Sequence, residues 1–197
     1  MDLKKKLVRA FVETGAFKWD KSSPFVLASG VKSEYYVDCR RFLSDPVNCV
    51  LVAEAAYLLV SSLGITAVGG LVLGAVPLST SLAIVAHQRS NGNEHWRTFM
   101  VRKESKSYGL GNLIEGDLRA GDQVLIVDDV LTSGNSIVRT LESLTRSDLS
   151  IRVDHVLVLV DRQEQNGRQN LERQYGVKIH SILMLDELKL ANTMFTP

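Results

Sequence analysis

The sequence predicts an α/β fold, an open and mostly parallel sheet with helices on both faces. Three observations carry this. Strands are expected at 67–73, 98–101, 123–127, 153–160 and 178–183, and the run Val124–Val127, β-branched at three of its four positions, has the pattern of a strand buried on both faces. Helical segments lie between them at 77–89, 135–146 and about 165–175. Strands that alternate with helices pair in parallel through right-handed crossovers.

The remaining elements follow in chain order. Leu3, Leu7, Val8 and Phe11 form one helical stripe within residues 2–14, so the start reads as an amphipathic helix. No long apolar run follows Lys4 to Lys6, which excludes a secretory signal there. Extended pieces near 25–28 and 35–38 flank Ser29-Gly30, a turn signal. A helix over 46–63 ends at Gly64. The stretch from Ala55 to Ala86 holds no charged residue, long enough for a membrane span by length alone. Its Gly64, Gly69, Gly70, Gly74 and Pro77 break it instead into helix end, buried strand, tight turn and new helix. Lys103 to Gly116 is polar, charged and glycine-containing, too long for an ordinary connector and therefore read as a mobile functional loop. The strand at 178–183 is the last element expected. The 197 residues suit one domain, with about 1–45 forming a small hood over the carboxyl edge of the sheet.

Composition bounds the function. Hydrophobic residues make up 45% and charged residues 23% of the chain, ordinary for a globular core. A net charge of +1 argues against a nucleic-acid surface. Cys39 and Cys49 show neither metal spacing nor a disulfide framework, which fits a reduced, cytoplasmic protein. His87, His95, His155 and His180 are scattered without ligand spacing, so no metal site made of protein side chains is expected.

The chemistry is concentrated in Val124-Leu-Ile-Val-Asp-Asp-Val-Leu-Thr-Ser-Gly-Asn-Ser136. A buried strand runs into Asp128 and Asp129, at the sheet end where open α/β folds bind ligands. Thr132, Ser133, Gly134, Asn135 and Ser136 then lead into the apolar spacing of Ile137, Leu141 and Leu144. Such a helix start has free backbone N–H groups and favours anions. Two carboxylates beside an anion cradle suit a ligand with both hydroxyls and a phosphate, such as a ribose phosphate. A Gly-Lys-Ser/Thr phosphate loop and a Gly-x-Gly-x-x-Gly turn at a strand–helix junction are both absent, which excludes the common nucleotide-triphosphatase and dinucleotide sites.

This segment resembles the motif with which type I phosphoribosyltransferases bind phosphoribosyl pyrophosphate (PRPP). Four further segments resemble the orotate phosphoribosyltransferase family within that superfamily. Arg102, Lys103 and Lys106, with Tyr108, Gly109 and the sequence Ile114-Glu115-Gly116, look like its catalytic loop. There mobile cations meet the charge growing on pyrophosphate. Tyr108 stands where the family usually has His, and Tyr donates a hydrogen bond but carries no positive charge. Ser29-Gly30, Ser33, Tyr35, Tyr36 and Asp38 resemble the N-terminal signature, with Ala28 where many members have Lys. Gly70 to Pro77, with Gly74 and Ala75, resembles the pyrophosphate loop, and Asp161-Arg162 with Gly167 resembles the region that pairs with the orotate carboxylate.

The resemblance implies transfer of the phosphoribosyl group of PRPP to orotate. PRPP would meet Thr132, Ser133, Gly134, Asn135, Ser136, Gly74, Ala75 and Tyr108. Orotate would meet Ser29, Tyr35, Tyr36, Thr132 and Arg162. Lys106, Lys103, Arg102, Asp128 and Asp129 would carry catalysis. Magnesium would arrive with PRPP and touch Asp128 or Asp129 at most through water. A homodimer with each loop reaching the partner's site is implied as well. A phosphoribosyltransferase for another base, or a regulator that binds PRPP without turnover, stays open at this point.

Overall fold

A computed structural model describes residues 2–26, 30, 32–104 and 113–195, without the side chains of 194 and 195. Helix α1 (Leu3–Glu13) is capped by the Asp2 carboxylate, which accepts from the Lys4 amide at 3.2 Å, and buries Leu7 and Phe11. Strands β1 (Phe17–Trp19), β2 (Phe25–Val26), β3 (Lys32–Ser33) and β4 (Tyr35–Val37) and the short helix α2 (Cys39–Phe42) form the N-terminal hood. Within it β1 pairs with β4 and β2 with β3, both antiparallel. There follow α3 (Pro46–Val60), β5 (Ala67–Leu71), α4 (Ala75–Arg89), β6 (Arg97–Val101) and β7 (Ile114–Gly116). The chain continues through β8 (Gln123–Leu131), α5 (Asn135–Thr145), β9 (Arg152–Asp161), α6 (Gly167–Tyr175), β10 (Lys178–Met184) and α7 (Leu185–Phe195).

The main sheet has the order β10-β9-β8-β5-β6-β7. All neighbours are parallel except β7, which lies antiparallel on the β6 edge. Period-two alternation divides the core between the two faces. Leu125, Val127, Leu157 and Leu159 face one cluster with residues of α1, α3, α4 and α7. Val124, Ile126, Val156 and Val158 face the other, with Ile137, Leu141 and Leu144 of α5 and Leu171 of α6. From β5 the chain crosses outward to β6, and from β8 it crosses the opposite way to β9. The strand order therefore reverses between β5 and β8, and a crevice opens at their carboxyl ends, where ligands bind in such sheets.

Several local expectations are corrected. Residues 114–116, read as loop, form β7, and the Arg102 amide bonds the Leu113 carbonyl at 2.8 Å. Residues 105–112 lie outside the described residues and are bracketed by this β6–β7 hairpin. Strand β8 runs on to Leu131 rather than stopping at residue 127, so Asp128 lies inside the ladder, opposite Val158. Helix α4 starts at Ala75, two residues before Pro77, with Gly74 as its N-cap. Helix α6 starts at Gly167 rather than 165, because Gln163, Gln165 and Asn166 adopt left-handed backbone angles. Helix α7 follows β10 with no intervening loop and was not expected at all. No described helix is long and apolar enough to cross a membrane.

Candidate active site

The crevice between β5 and β8 is a cleft of about 570 Å³. Its floor is the end of β8. Asp128 is buried, at 6% exposure. Its Oδ1 accepts from the Asp129 amide at 3.0 Å, and Asp129 Oδ1 accepts from the Val130 amide at 3.0 Å. Burial, and then the neighbouring Asp129 carboxylate, push the Asp128 carboxyl well above the usual carboxylate range, while a Ser136 hydrogen bond opposes them. Two adjacent acids in so dry a place repel each other until a cation or a set of hydroxyl donors arrives.

One wall is the loop Thr132–Gly134 and the start of α5. Gly134, the N-cap, has φ of 84°, and no side chain caps the helix. The backbone N–H groups of the first turn thus remain for a ligand. Thr132, Ser133, Gly134, Asn135 and Ser136 all line the cleft. Gly167, which opens α6, packs so closely on this loop that a Cβ there would collide with the Thr132 carbonyl. Helix α6 thereby fixes the loop from behind.

The opposite wall is the turn from β5 to α4, with a cis peptide between Val72 and Leu73. A Cβ on Gly74 would stand 2.5 Å from Asp129 Oδ1 and 3.1 Å from Asp128 Oδ1. The turn therefore touches the acid pair only because residue 74 has no side chain. Ala75 does not line the cleft; its methyl is buried in the core at 1% exposure, leaving only its backbone to a ligand.

The hood forms the roof. Alternation along β4 separates its two tyrosines. Tyr36 lines the cleft beside Val26, its ring 5.5 Å from that of Phe25. The Tyr35 ring packs away from it, stacked with Trp19 at 6.2 Å and under Lys189 of α7 at 4.6 Å. Only the Tyr35 carbonyl comes near the site, accepting from Arg162 Nη2 at 3.3 Å. Arg162, at the end of β9, is 3% exposed, lines the cleft and also bonds Ser33 Oγ and Glu164.

Lys103 lines the cleft at its mouth. Arg102 does not; its guanidinium pairs with Glu115 of β7 at 3.5 Å. Ser29, Lys106 and Tyr108 lie outside the described residues. The structure adds lining residues to which no ligand contact was assigned, namely Asp38 of the N-terminal signature, Cys39, Arg40 and Leu71 to Leu73. The first three lie two to four residues after Tyr36, so the signal adjoined one already read. Cys39 Sγ contacts the Asp129 carbonyl at 3.6 Å, and burial followed by the neighbouring acids drives its thiol well up. It is a packing group, not a nucleophile.

The comparisons with known proteins agree with this geometry. No family model matches the chain. The orotate phosphoribosyltransferase of Aquifex aeolicus is 35% identical over 185 residues, covering 94% of this chain and 97% of the relative. That of Methanocaldococcus jannaschii is 35% identical over 189 residues, covering 96% and 98%. The crystal structure of Mycobacterium tuberculosis orotate phosphoribosyltransferase with PRPP superposes with a TM-score of 0.72 at 27% identity, covering 95% and 99% of the two chains. The chain belongs to the orotate phosphoribosyltransferase family.

Proposed function

We propose that this protein transfers the 5-phosphoribosyl group of PRPP to orotate, releasing pyrophosphate and giving orotidine 5′-monophosphate, a step of pyrimidine biosynthesis. The observation that carries the reading is convergence. The acid pair, the uncapped start of α5 and the glycine turn before α4 all open into one cleft. The start of α5 suits the 5-phosphate. Asp128 and Asp129 suit the two ribose hydroxyls, which donate to carboxylates. The turn at Gly74, with Lys103, suits the pyrophosphate, and Tyr36 under the hood offers an aromatic wall to a flat base. Arg162 suits the base's carboxylate.

In this arrangement the chain positions and screens rather than forming a covalent bond. The base nitrogen attacks the anomeric carbon as the bond to the pyrophosphate oxygen breaks, through an oxocarbenium-like transition state. Alignment of the two substrates converts an encounter into an effectively unimolecular step. Lys103 and the loop cations Arg102 and Lys106 would stabilise charge on the leaving group. Magnesium would enter with PRPP and neutralise part of that charge. The site fits it, because a cation near buried Asp128 and half-buried Asp129 would offset both the burial and the mutual repulsion that hold the Asp128 carboxyl up.

The same reading includes a cytoplasmic homodimer whose loops act in trans. Helix α3 supports an association surface. It carries Val47, Val50 and Leu58 at 72%, 53% and 68% exposure, on one face by helical spacing. The direct test of the site is the double variant Asp128→Asn, Asp129→Asn. The PRPP requirement should rise and turnover fall, with an unchanged circular-dichroism spectrum. Wild-type PRPP affinity in that variant would refute the assignment.

A further inference from the structure

Arg162 is not a free cation waiting for a substrate. Its Nε donates to Glu164 Oε2 at 3.0 Å and its Nη2 to Glu164 Oε1 at 3.1 Å, the two parallel bonds of a bidentate pair. Nη2 turns its remaining proton to the hood, at Ser33 Oγ (2.9 Å) and the Tyr35 carbonyl (3.3 Å). Nη1 makes no hydrogen bond to any described residue. Arg162 lines the cleft, whereas Glu164 does not. The carboxylate therefore grips the guanidinium from the side away from the cleft and leaves Nη1 to a ligand.

The backbone is bent to make this grip. Residues two apart along a strand would carry Glu164 onward, away from Arg162. Gln163 instead adopts φ of 56°, with its amide tied to Asp161 Oδ1 at 2.8 Å, and Gln165 and Asn166 follow at 53° each. Such angles are uncommon for residues with a side chain, and runs of them mark functional segments. A buried guanidinium also needs a counter-charge when no substrate is bound, and Glu164 provides it.

We infer that Glu164 is a positioning residue for base recognition: it locks the Arg162 fork so that Nη1 faces the carboxylate of the acceptor base. This rests on the reading of the cleft as an orotate site. Glu164 does not touch the substrate. It fixes a donor that meets the carboxylate by which orotate differs from uracil.

The test is steady-state kinetics of Glu164→Ala and Glu164→Gln, with orotate and PRPP varied separately and uracil as competitor. Losing a charge-assisted bidentate grip should raise the orotate KM about tenfold or more in the Ala variant. The PRPP KM should stay within about twofold of wild type, since the PRPP loops are untouched. Discrimination against uracil should fall with it. Gln keeps one acceptor for the guanidinium and should recover part of the loss. An unchanged orotate KM would overturn the inference, as would a lowered one, which would make Glu164 a competitor. A parallel rise in the PRPP KM would show general damage and overturn it too. Should the Ala variant fold poorly, the Gln variant decides alone: its orotate KM rises about threefold or more, or the inference fails. Wild type without orotate turnover would defeat the reading of the site itself, and the inference with it.

Discussion

Asp128 shows how a functional residue works against the fold that holds it. Burial and Asp129 raise its folded-state pKa. Below the unfolded pKa both states are protonated and the group is neutral to stability. As pH rises past that value the unfolded state ionises freely, while the folded state resists. The ligand-free protein thus loses stability with rising pH, up through the raised folded value. Asp128→Asn should accordingly melt higher than wild type at pH 8, with a smaller gain at pH 5. Each kcal/mol relieved appears as roughly 2–4 °C in Tm for a chain of this size. Scanning calorimetry at the two pH values checks it, and a lower Tm at pH 8 would contradict it. The acid pair and Thr132 to Ser136 were legible because their chemistry follows from residue type and place on a strand–loop–helix. Tyr35 and Tyr36 were not separable, since alternation says that the two rings point apart and not which one faces the ligand. Glu164 was not legible, because its contact depends on a left-handed turn at Gln163 that no residue type announces.

At the scale of elements, the central strands β5, β8 and β9 were legible because each holds an apolar run buried on both faces, whereas the short β1, β3 and β7 carry no such run. Helices α3 and α4 were found through their glycine and proline boundaries, since both are apolar nearly all round and show little amphipathic signal. Helix α7 was missed because β10 passes into it at Met184–Leu185 with no turn residue. Its marks were present all the same. Leu185, Leu188 and Ala191 are buried at helical spacing, and Glu187 accepts from the Met184 amide at 2.9 Å. This helix is tied to α1 through the Lys4–Glu187 pair at 2.8 Å and braces the hood through Lys189 over Tyr35. Leu188, at 0% exposure, packs in the same cluster as Leu7 and Phe11. Leu188→Ala should therefore cost about 2–5 kcal/mol. A chemical-denaturation curve with an unshifted midpoint would show that α7 is dispensable.

For the whole molecule, the proposed dimer explains two features together. The exposed Val47, Val50 and Leu58 of α3 gain a cover, and the segment bracketed by the β6–β7 hairpin gains a site to act on. A Lys106→Ala protomer and an Asp128→Asn, Asp129→Asn protomer should each be inactive alone. Mixed under conditions of subunit exchange, they would form heterodimers with one intact site, and activity should return to about a quarter of wild type per subunit if exchange is random. No recovery despite demonstrated exchange would place the loop in its own site. Sequence could not reach this level, because an apolar helix face reads alike whether it meets a core or a second chain.

The central claim is the identity of the two substrates, and a single assay addresses it. The purified protein, magnesium and PRPP are mixed in turn with orotate, uracil, adenine, guanine and hypoxanthine, while nucleotide and pyrophosphate are both quantified. The account predicts orotidine 5′-monophosphate and pyrophosphate in equal amounts with orotate, and neither product at a comparable rate with any other base. Consumption of a purine or of uracil as fast as orotate, or PRPP binding with no base turned over, would contradict it.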